Sequence, residues 1–335
     1  MPSYAIGVDL GGTNLRIAAV DESGKLLSKT TLRTQVSLGR ERVADELCRA
    51  TEALKTKYLG AGELCGIGVG VPGLIDIESG RVVQSPNLPG WENYDVKGEI
   101  ERRLGTPVIL ENDANVAALG EQWMGAGRDS KSMCMYTLGT GVGGGLILDG
   151  KLWRGWNGMA AELGHCNVYP DGHPCNCGSH GCLEQYASAT AVVRMAREAL
   201  AAGTPTKLRG LAFQELNARA IYERAIQGDE VAKSVFERVG RSLGLAIATM
   251  INAMNIPLHV IGGGVSSAWD AFSPAMFDEV RKRSYIYAAT TKEDGQGVDG
   301  RKHTTAITRA LLSGDGGLFG AARMPLMRAE VTSKS

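Results

Sequence analysis

Apolar and polar positions along this chain switch between a period of two and a period near 3.6, and the switches outline its elements. Tyr4 to Val8 is a short apolar run; the turn Asp9-Leu10-Gly11-Gly12-Thr13-Asn14, the run Leu15 to Val20 and a second turn at Asp21 to Gly24 follow. That order predicts a β-hairpin. A strand is expected over Thr30 to Thr34. From Leu38 to Tyr58 the apolar residues Val43, Leu47, Ala50 and Leu54 recur at helical spacing. Cys65 to Val71 alternates apolar residues with glycine and predicts a strand that ends at Pro72-Gly73, and Gln84 to Trp91 is a loop rich in Pro and Gly. Val96 to Leu104 is amphipathic. Pro107 to Glu111 then reads as a buried strand delivering Asn112-Asp113-Ala114-Asn115, where a helix starts and runs through Val116, Ala117, Gly120 and Trp123.

The second half repeats the opening design. Met133 to Leu138 is a short apolar strand, Gly139 to Gly145 a glycine-rich turn with Thr140 inside it, and apolar character resumes at Leu146. Helices are expected over Leu183 to Leu200, Asn217 to Ile226 and Asp229 to Met254, the last apolar along one face as a core or dimer helix would be. Leu258 to Ile261 is a buried strand that empties into Gly262-Gly263-Gly264-Val265-Ser266. Thr291 to His303 is polar and Gly-rich, which predicts a mobile loop. Gly314 to Ala322 leads into a last helix, and the tail from Val331 is expected to be disordered.

Composition narrows the range of partners. The 335 residues are 44% hydrophobic, enough for two lobes with real cores, and Lys plus Arg balance Asp plus Glu at a formal charge of +0. Nothing therefore pulls the chain toward nucleic acid or an anionic membrane, and a small neutral ligand is the better expectation. No run of 18 apolar residues occurs, and the start M-P-S-Y-A-I lacks the regions of a signal peptide. A cytoplasmic location follows. Seven cysteines, three of them clustered, fit a reducing compartment better than a disulfide framework.

The clustered cysteines carry the strongest chemical signal. Between Glu162 and Glu184, Cys175, Cys177 and Cys182 sit among Gly178 and Gly181, with His165 ten positions before the first of them. A Cys3His tetrahedral zinc site is the natural reading, and three buried cysteines without metal the plainer one. His173 and His180 are further possible ligands. The Gly-Gly turn at Gly11-Gly12 offers unobstructed backbone N–H groups beside the Thr13 hydroxyl and the Asn14 amide, which suits phosphate oxygens. An ordinary hairpin turn reads the same. It is neither a P-loop nor a dinucleotide fingerprint, because a strand follows it and not a helix. Asp113 falls in the first turn of its helix, either as a carboxylate favoured by the dipole or as a plain N-cap, and Asn87 alone reads equally as a turn former.

The spacing E-x-x-H-x9-C-x-C-x4-C-x-E, with D-x-G-G-T-x at the start and E-N-D-A-N before the central helix, resembles the ROK family of bacterial sugar kinases and related transcription repressors. The likeness spans Asp9 to Ala322 and is strongest to the family's glucokinases in V-x-P-D-G-x-P-C and C-L-E-Q-Y-A-S. It implies an α/β, actin-like (ribonuclease H-like) two-lobed fold with a cleft between lobes. The small lobe would hold residues 1-117, completed by the C-terminal helix at about 316-330, and the large lobe 118-315 with the zinc loop at 165-182. By resemblance His165, Cys175, Cys177 and Cys182 bind a structural Zn2+, while Gly73, Asn87, Asn112, Asp113, Glu162, His165 and Glu184 contact a sugar. Asp113 becomes the catalytic base. Asp9, Gly11, Gly12, Thr13, Asn14, Gly139, Thr140, Gly141, Gly263 and Gly264 would serve ATP, with Mg2+ near Asp9.

The implied activity is ATP-dependent phosphorylation of the glucose 6-hydroxyl by a homodimer that binds neither nucleic acid nor membrane. The alternatives are a kinase for N-acetylmannosamine, N-acetylglucosamine, mannose or fructose, a non-catalytic sugar sensor, and a zinc-module interaction protein. The repressors of the family carry a helix-turn-helix ahead of this fold, and the expectation from a start at Tyr4 and zero net charge is a kinase.

Overall fold

The computed structural model describes residues 3–291 and 304–332. By contacts the chain divides into two compact units, the first made of Met1–Lys131, Gly145–Ala161 and Leu311–Ser335, the second of Ser132–Gly144 and Glu162–Ala310.

The first stretch contains β1 (Ser3–Leu10), β2 (Asn14–Asp21), β3 (Leu26–Arg33), α1 (Arg40–Lys57), β4 (Glu63–Val71), β5 (Leu74–Asp76), β6 (Arg81–Gln84), β7 (Tyr94–Asp95), α2 (Val96–Leu104), β8 (Val108–Asn112) and α3 (Asp113–Met124). After it come β9 (Met133–Leu138), β10 (Val142–Leu148), β11 (Lys151–Leu152), α4 (Glu184–Ala187), α5 (Ala189–Ala201), α6 (Ala218–Ile226), α7 (Glu230–Met254), β12 (Leu258–Gly262), α8 (Trp269–Arg283), α9 (Tyr285–Thr290), β13 (Ala306–Arg309) and α10 (Gly316–Thr332). The strands form sheets ordered β3-β2-β1-β4-β8, β11-β10-β9-β12-β13 and β5-β6-β7.

In the first sheet β1 pairs antiparallel with β2, as the opening hairpin predicts, with Leu10 opposite Leu15 and the Gly11 N–H donating to the Asn14 carbonyl at 2.9 Å. β1, β4 and β8 run parallel. Their residues are buried on both faces, which is why these strands read as nearly unbroken apolar runs. One face packs Ile6, Val8 and Ile67 with Val43, Leu47 and Leu54 of α1 and Ile100 of α2; the other packs Ala5, Ala18 and Val20 under Leu318, Ala322 and Leu326 of α10. At Gly7 and Gly68 a Cβ would collide with the Leu318 and Ala321 carbonyls, so α10 lies with its backbone directly on the sheet.

Three expectations change, and a fourth falls almost wholly outside the described residues. The helix read over Leu183 to Leu200 is two helices, because Ser188 adopts φ −82°, ψ 161° and its side chain accepts from the Ala191 N–H at 3.0 Å, capping α5. The turn expected over Gly139 to Gly145 is only Gly139 to Gly141; the later glycines lie in β10, where a Cβ on Gly145 would come 2.6 Å from the Ala118 Cβ on α3. The tail from Val331 is not all irregular, since α10 runs to Thr332. Of the loop read over Thr291 to His303, only a buried Thr291 is described; 292–303 lie outside the described residues. Among the described residues no helix is long and apolar enough to cross a membrane.

The core of the second unit holds an unusual polar group. His259 on β12 lies opposite Cys134 of β9 and stacks on the Tyr136 ring, with centroids 6.3 Å apart at 23°. All three are fully buried, and among the described residues neither His259 ring nitrogen has a hydrogen-bond partner. Burial alone pushes the imidazole down to about 4 and is the largest influence raising the Cys134 thiol to about 12. The folded state thus takes only the neutral ring, whereas the unfolded chain gains a proton near 6.5. Above that pH His259 is neutral in both states, and as pH falls from 6.5 toward about 4 it should withdraw up to about 3 kcal/mol of stability. Urea midpoints followed from pH about 7 to about 4 should therefore fall more steeply for the parent than for His259→Leu; parallel curves would refute this account.

Candidate active site

The parallel register of the first sheet sets the first half of the site. Asp9 pairs with Gly70, Gly70 with Glu111, and Val71 with Asn112, so the carboxyl ends of β1, β4 and β8 finish side by side. Ligands of open parallel sheets bind at this edge. Three predicted groups meet along it: Asp9 with the Gly11-Gly12-Thr13-Asn14 turn, Gly73 after β4, and Asn112-Asp113 at the junction of β8 and α3.

Asn112 organises the junction. Its Oδ1 accepts from the Ala114 and Asn115 N–H groups at 2.9 and 3.2 Å, and its Nδ2 donates to the Gly73 carbonyl at 3.0 Å. Asn112, not Asp113, is the N-cap of α3. Asp113 is the first helical residue, half-buried, its Oδ1 accepting from the Ala114 N–H at 2.9 Å. Gly73 has φ +115° and no room for a Cβ, which would stand 2.9 Å from the Ser85 Cα. Asn87, which is exposed, covers the phosphate-type turn: a Cβ on Gly12 would lie 3.1 Å from the Asn87 carbonyl oxygen.

Asp9 is half-buried and faces both a cation and a helix end. Arg16 Nη1 lies 3.3 Å from its carboxylate and also donates to the Gly314 carbonyl at 2.5 Å. A Cβ on Gly317 would be 2.9 Å from the Asp9 Cγ, so the carboxylate looks onto the first turn of α10. Burial pushes the Asp9 carboxyl above the usual carboxylate range, with Arg16 pulling the other way. The sequence reading missed Arg16, whose partners are the Asp9 carboxylate opposite it in the hairpin and the Gly314 carbonyl just before α10.

The second unit gathers its own set at the carboxyl ends of β9 and β12, which are parallel neighbours with Gly262 opposite Thr137. The Gly139 N–H closes its turn on the Gly141 carbonyl at 2.9 Å, and the turn is held from behind by the Ala189 N–H and the Thr190 hydroxyl, at 2.8 Å each. Gly263, at φ +82°, abuts the Leu138 backbone so closely that a Cβ would come within 2.5 Å of its carbonyl oxygen. Glu184 reaches the same turn, accepting from the Val142 N–H at 2.9 Å. The Glu162 carboxyl is raised above its ordinary value, by burial first, with His165 lowering it and Glu184 raising it. Glu162, His165 and Glu184 are therefore electrostatic neighbours.

His165, Cys175, Cys177 and Cys182 come together with all four donor atoms within 4.8 Å of one another. Cys177 Sγ is 3.6 Å from Cys182 Sγ, and Cys175 Sγ is 3.7 Å from His165 Nδ1. A disulfide would need about 2 Å; a tetrahedron with metal bonds of about 2.3 Å has edges of about 3.7 Å, so the donor set fits a four-coordinate ion. His173 and His180 stay outside the group. Gln185 Nε2 donates to Cys175 Sγ at 3.6 Å, and the loop is fixed to α7 by Arg238, 4.2 Å above the Tyr169 ring, which packs edge-on against Tyr186.

With this geometry in view, comparison with known proteins decides the family. A family model described as ROK family matches residues 5–325. The chain belongs to the ROK family. It is 40% identical over 288 residues to a glucokinase of Thermotoga maritima, covering 84% of this chain and 87% of that protein. It is 38% identical over 297 residues to a glucokinase of Halalkalibacterium halodurans, covering 87% and 88%. The crystal structure of a ROK family glucokinase from Streptomyces griseus in complex with glucose and AMPPNP superposes with a TM-score of 0.77 at 35% identity, covering 96% of this chain and 98% of that one. The fold is accordingly the actin-like, two-lobed α/β fold of ROK sugar kinases.

Glu111 was also overlooked by sequence, although a carboxylate closing the apolar run P-V-I-L was a signal. It is fully buried. Since Asn112 carries the cap and the Gly73 tie, Asn112→Ala should destabilise the first unit by about 1–2 kcal/mol in urea denaturation, and an unmoved midpoint would contradict its role as cap.

Proposed function

We propose that this chain is an ATP-dependent glucokinase that phosphorylates the 6-hydroxyl of glucose, with Asp113 as general base. The observation carrying the proposal is the alignment of Asp9 and Asn112-Asp113 on one carboxyl edge of parallel strands, a phosphate-type turn beside a half-buried carboxylate. The identity to glucokinases over most of both chains supports the same substrate.

Phosphoryl transfer needs positioning and charge neutralisation more than covalent help. Asp113 takes the proton from the 6-hydroxyl as that oxygen attacks the γ-phosphorus, the bond from that phosphorus to the β–γ bridging oxygen breaks, and ADP leaves with the electron pair. In the first unit Gly73, Asn87 and the remaining N–H of Asn112 Nδ2 contact sugar hydroxyls; in the second unit Glu162, His165 and Glu184 do so. The backbone N–H groups at Gly11 to Asn14 and at Gly139 to Gly141 take the phosphates, and Gly263-Gly264 the adenosine. Mg2+, held near Asp9 when bound, supplies neutralising charge to the β- and γ-phosphate oxygens.

The metal at His165, Cys175, Cys177 and Cys182 is proposed to be structural Zn2+. Four protein donors leave no open position for water or substrate, and three thiolates with one imidazole suit zinc. His165 can serve both roles, one ring nitrogen on the metal and the other on a sugar hydroxyl.

ADP release measured across glucose, mannose, fructose, N-acetylglucosamine and N-acetylmannosamine tests the substrate. Glucose should give the highest kcat/KM, since a lost hydrogen bond to a buried carboxylate costs about 1–3 kcal/mol. Another sugar leading by about tenfold or more would remove the glucose assignment and leave the kinase. For the metal, purified protein should contain about one zinc per chain, and Cys177→Ser should lose it together with thermal stability. Zinc-free protein that folds and turns over normally would end the zinc proposal.

A further inference from the structure

We infer that Glu111 and Arg154 form a positioning pair for Asp113, a buried carboxylate and its counter-cation that hold the turn from β8 into α3; the inference rests on Asp113 being the base. Glu111 is 0% exposed, and a lone carboxylate there would be strongly disfavoured. Its two oxygens are divided between two tasks. Oε2 accepts from Arg154 Nε at 2.6 Å. Oε1 accepts from the Asn112 N–H and from Asn115 Nδ2, each at 3.0 Å.

Those two donors stand on either side of Asp113, one residue before it and two residues after. Asn112 passes the constraint on, since its side chain caps α3 and ties Gly73. The base therefore sits between two residues pinned to one oxygen. Arg154 places a counter-charge on the other oxygen of the same carboxylate, and among the described residues it is the cation paired with Glu111. It arrives from the segment after β11, 43 residues along the chain, where its own carbonyl accepts from the Ala160 N–H at 3.1 Å. Its side chain is 39% exposed, so the pair is anchored in the core and open to solvent at its far end.

A pair that only stabilised the fold would lower the melting temperature and leave turnover by folded enzyme alone. Positioning predicts a different split. In steady-state assays with glucose and MgATP, Arg154→Met should lower kcat by about 10²-fold, the loss expected for a base displaced by about 1 Å, with the glucose KM changed only a few-fold. Arg154→Lys should restore part of the loss. The double variant Glu111→Gln, Arg154→Met should turn over faster than Arg154→Met alone, because glutamine keeps an oxygen for the Asn112 N–H and leaves no unpaired charge. If Arg154→Met does not fold, the double variant Glu111→Ala, Arg154→Met carries the test: it removes the oxygen that holds the Asn112 N–H, so kcat should fall by about 10²-fold, and a folded Glu111→Ala, Arg154→Met variant with parent-like kcat overturns the inference. Parent-like kcat in Arg154→Met also overturns it. Asp113→Ala in the same panel separates the two readings: an inactive Asp113→Ala beside a fully active Arg154→Met removes only the pair, whereas an active Asp113→Ala removes the base itself.

Discussion

The parallel pairing of β1, β4 and β8 is the constraint on which the chemistry of the first unit depends. Side chains alternate faces along a strand, so slipping one strand by a single residue would turn Asp9 or Asn112 to the opposite face. The slip is blocked because both faces are buried, one under α1 and α2, the other under α10. Gly7 and Gly68 sharpen the block by letting the α10 backbone rest on the sheet at one depth. Asp9 and the Asn112-Asp113 turn then emerge at a shared edge with no further device required.

The second unit solves the same problem with less apolar material. β9 and β12 bring the turns at Gly139 and Gly263 together in the same way, through parallel register. The loop that carries Glu162, His165 and Glu184 is different, being irregular and short of large apolar side chains. Its order comes from the four converging metal-type donors, from the Arg238 guanidinium over Tyr169, and from the Tyr186 hydroxyl accepting the His173 N–H at 2.7 Å. Glu184 joins this loop to the glycine turn, so the groups proposed for sugar and for phosphate share one rigid neighbourhood.

Buried charge recurs at the joints of the first unit. Glu111 meets Arg154, while Glu121, equally buried, is held instead by backbone N–H groups of Ala126, Leu311 and Leu312 at 2.8, 3.1 and 2.7 Å. Both carboxylates sit where a distant segment returns to the strand–helix core. Such groups fix a return point more sharply than apolar contact, because an unpaired carboxylate in the interior is far less tolerable than a small gap in packing.

What the sequence determined by itself is what short-range physics controls. The opening hairpin, the helix beginning at Asp113, the strand that stops at Leu138 and the Cys-His group were all legible, because each is written in residues that are near neighbours or follow one period. Asp113, expected in the first turn, stands there, and the plainer reading of it as N-cap falls away because Asn112 takes that place; both side chains accept from the Ala114 N–H, and only the packed β8 strand shows which one caps. The break at Ser188 hid inside an unbroken helical pattern. Beyond that range the tertiary structure decided. Arg16 meets the Gly314 carbonyl across 298 residues, Glu121 meets Leu312 across 191, and Glu111 meets Arg154 across 43. His259 reads as one more residue of a strand until the sheet buries it against Tyr136, with no hydrogen-bond partner among the described residues. No local pattern encodes such pairs, because their energy depends on which surfaces exclude water together, and that is set only when the sheets and helices have packed.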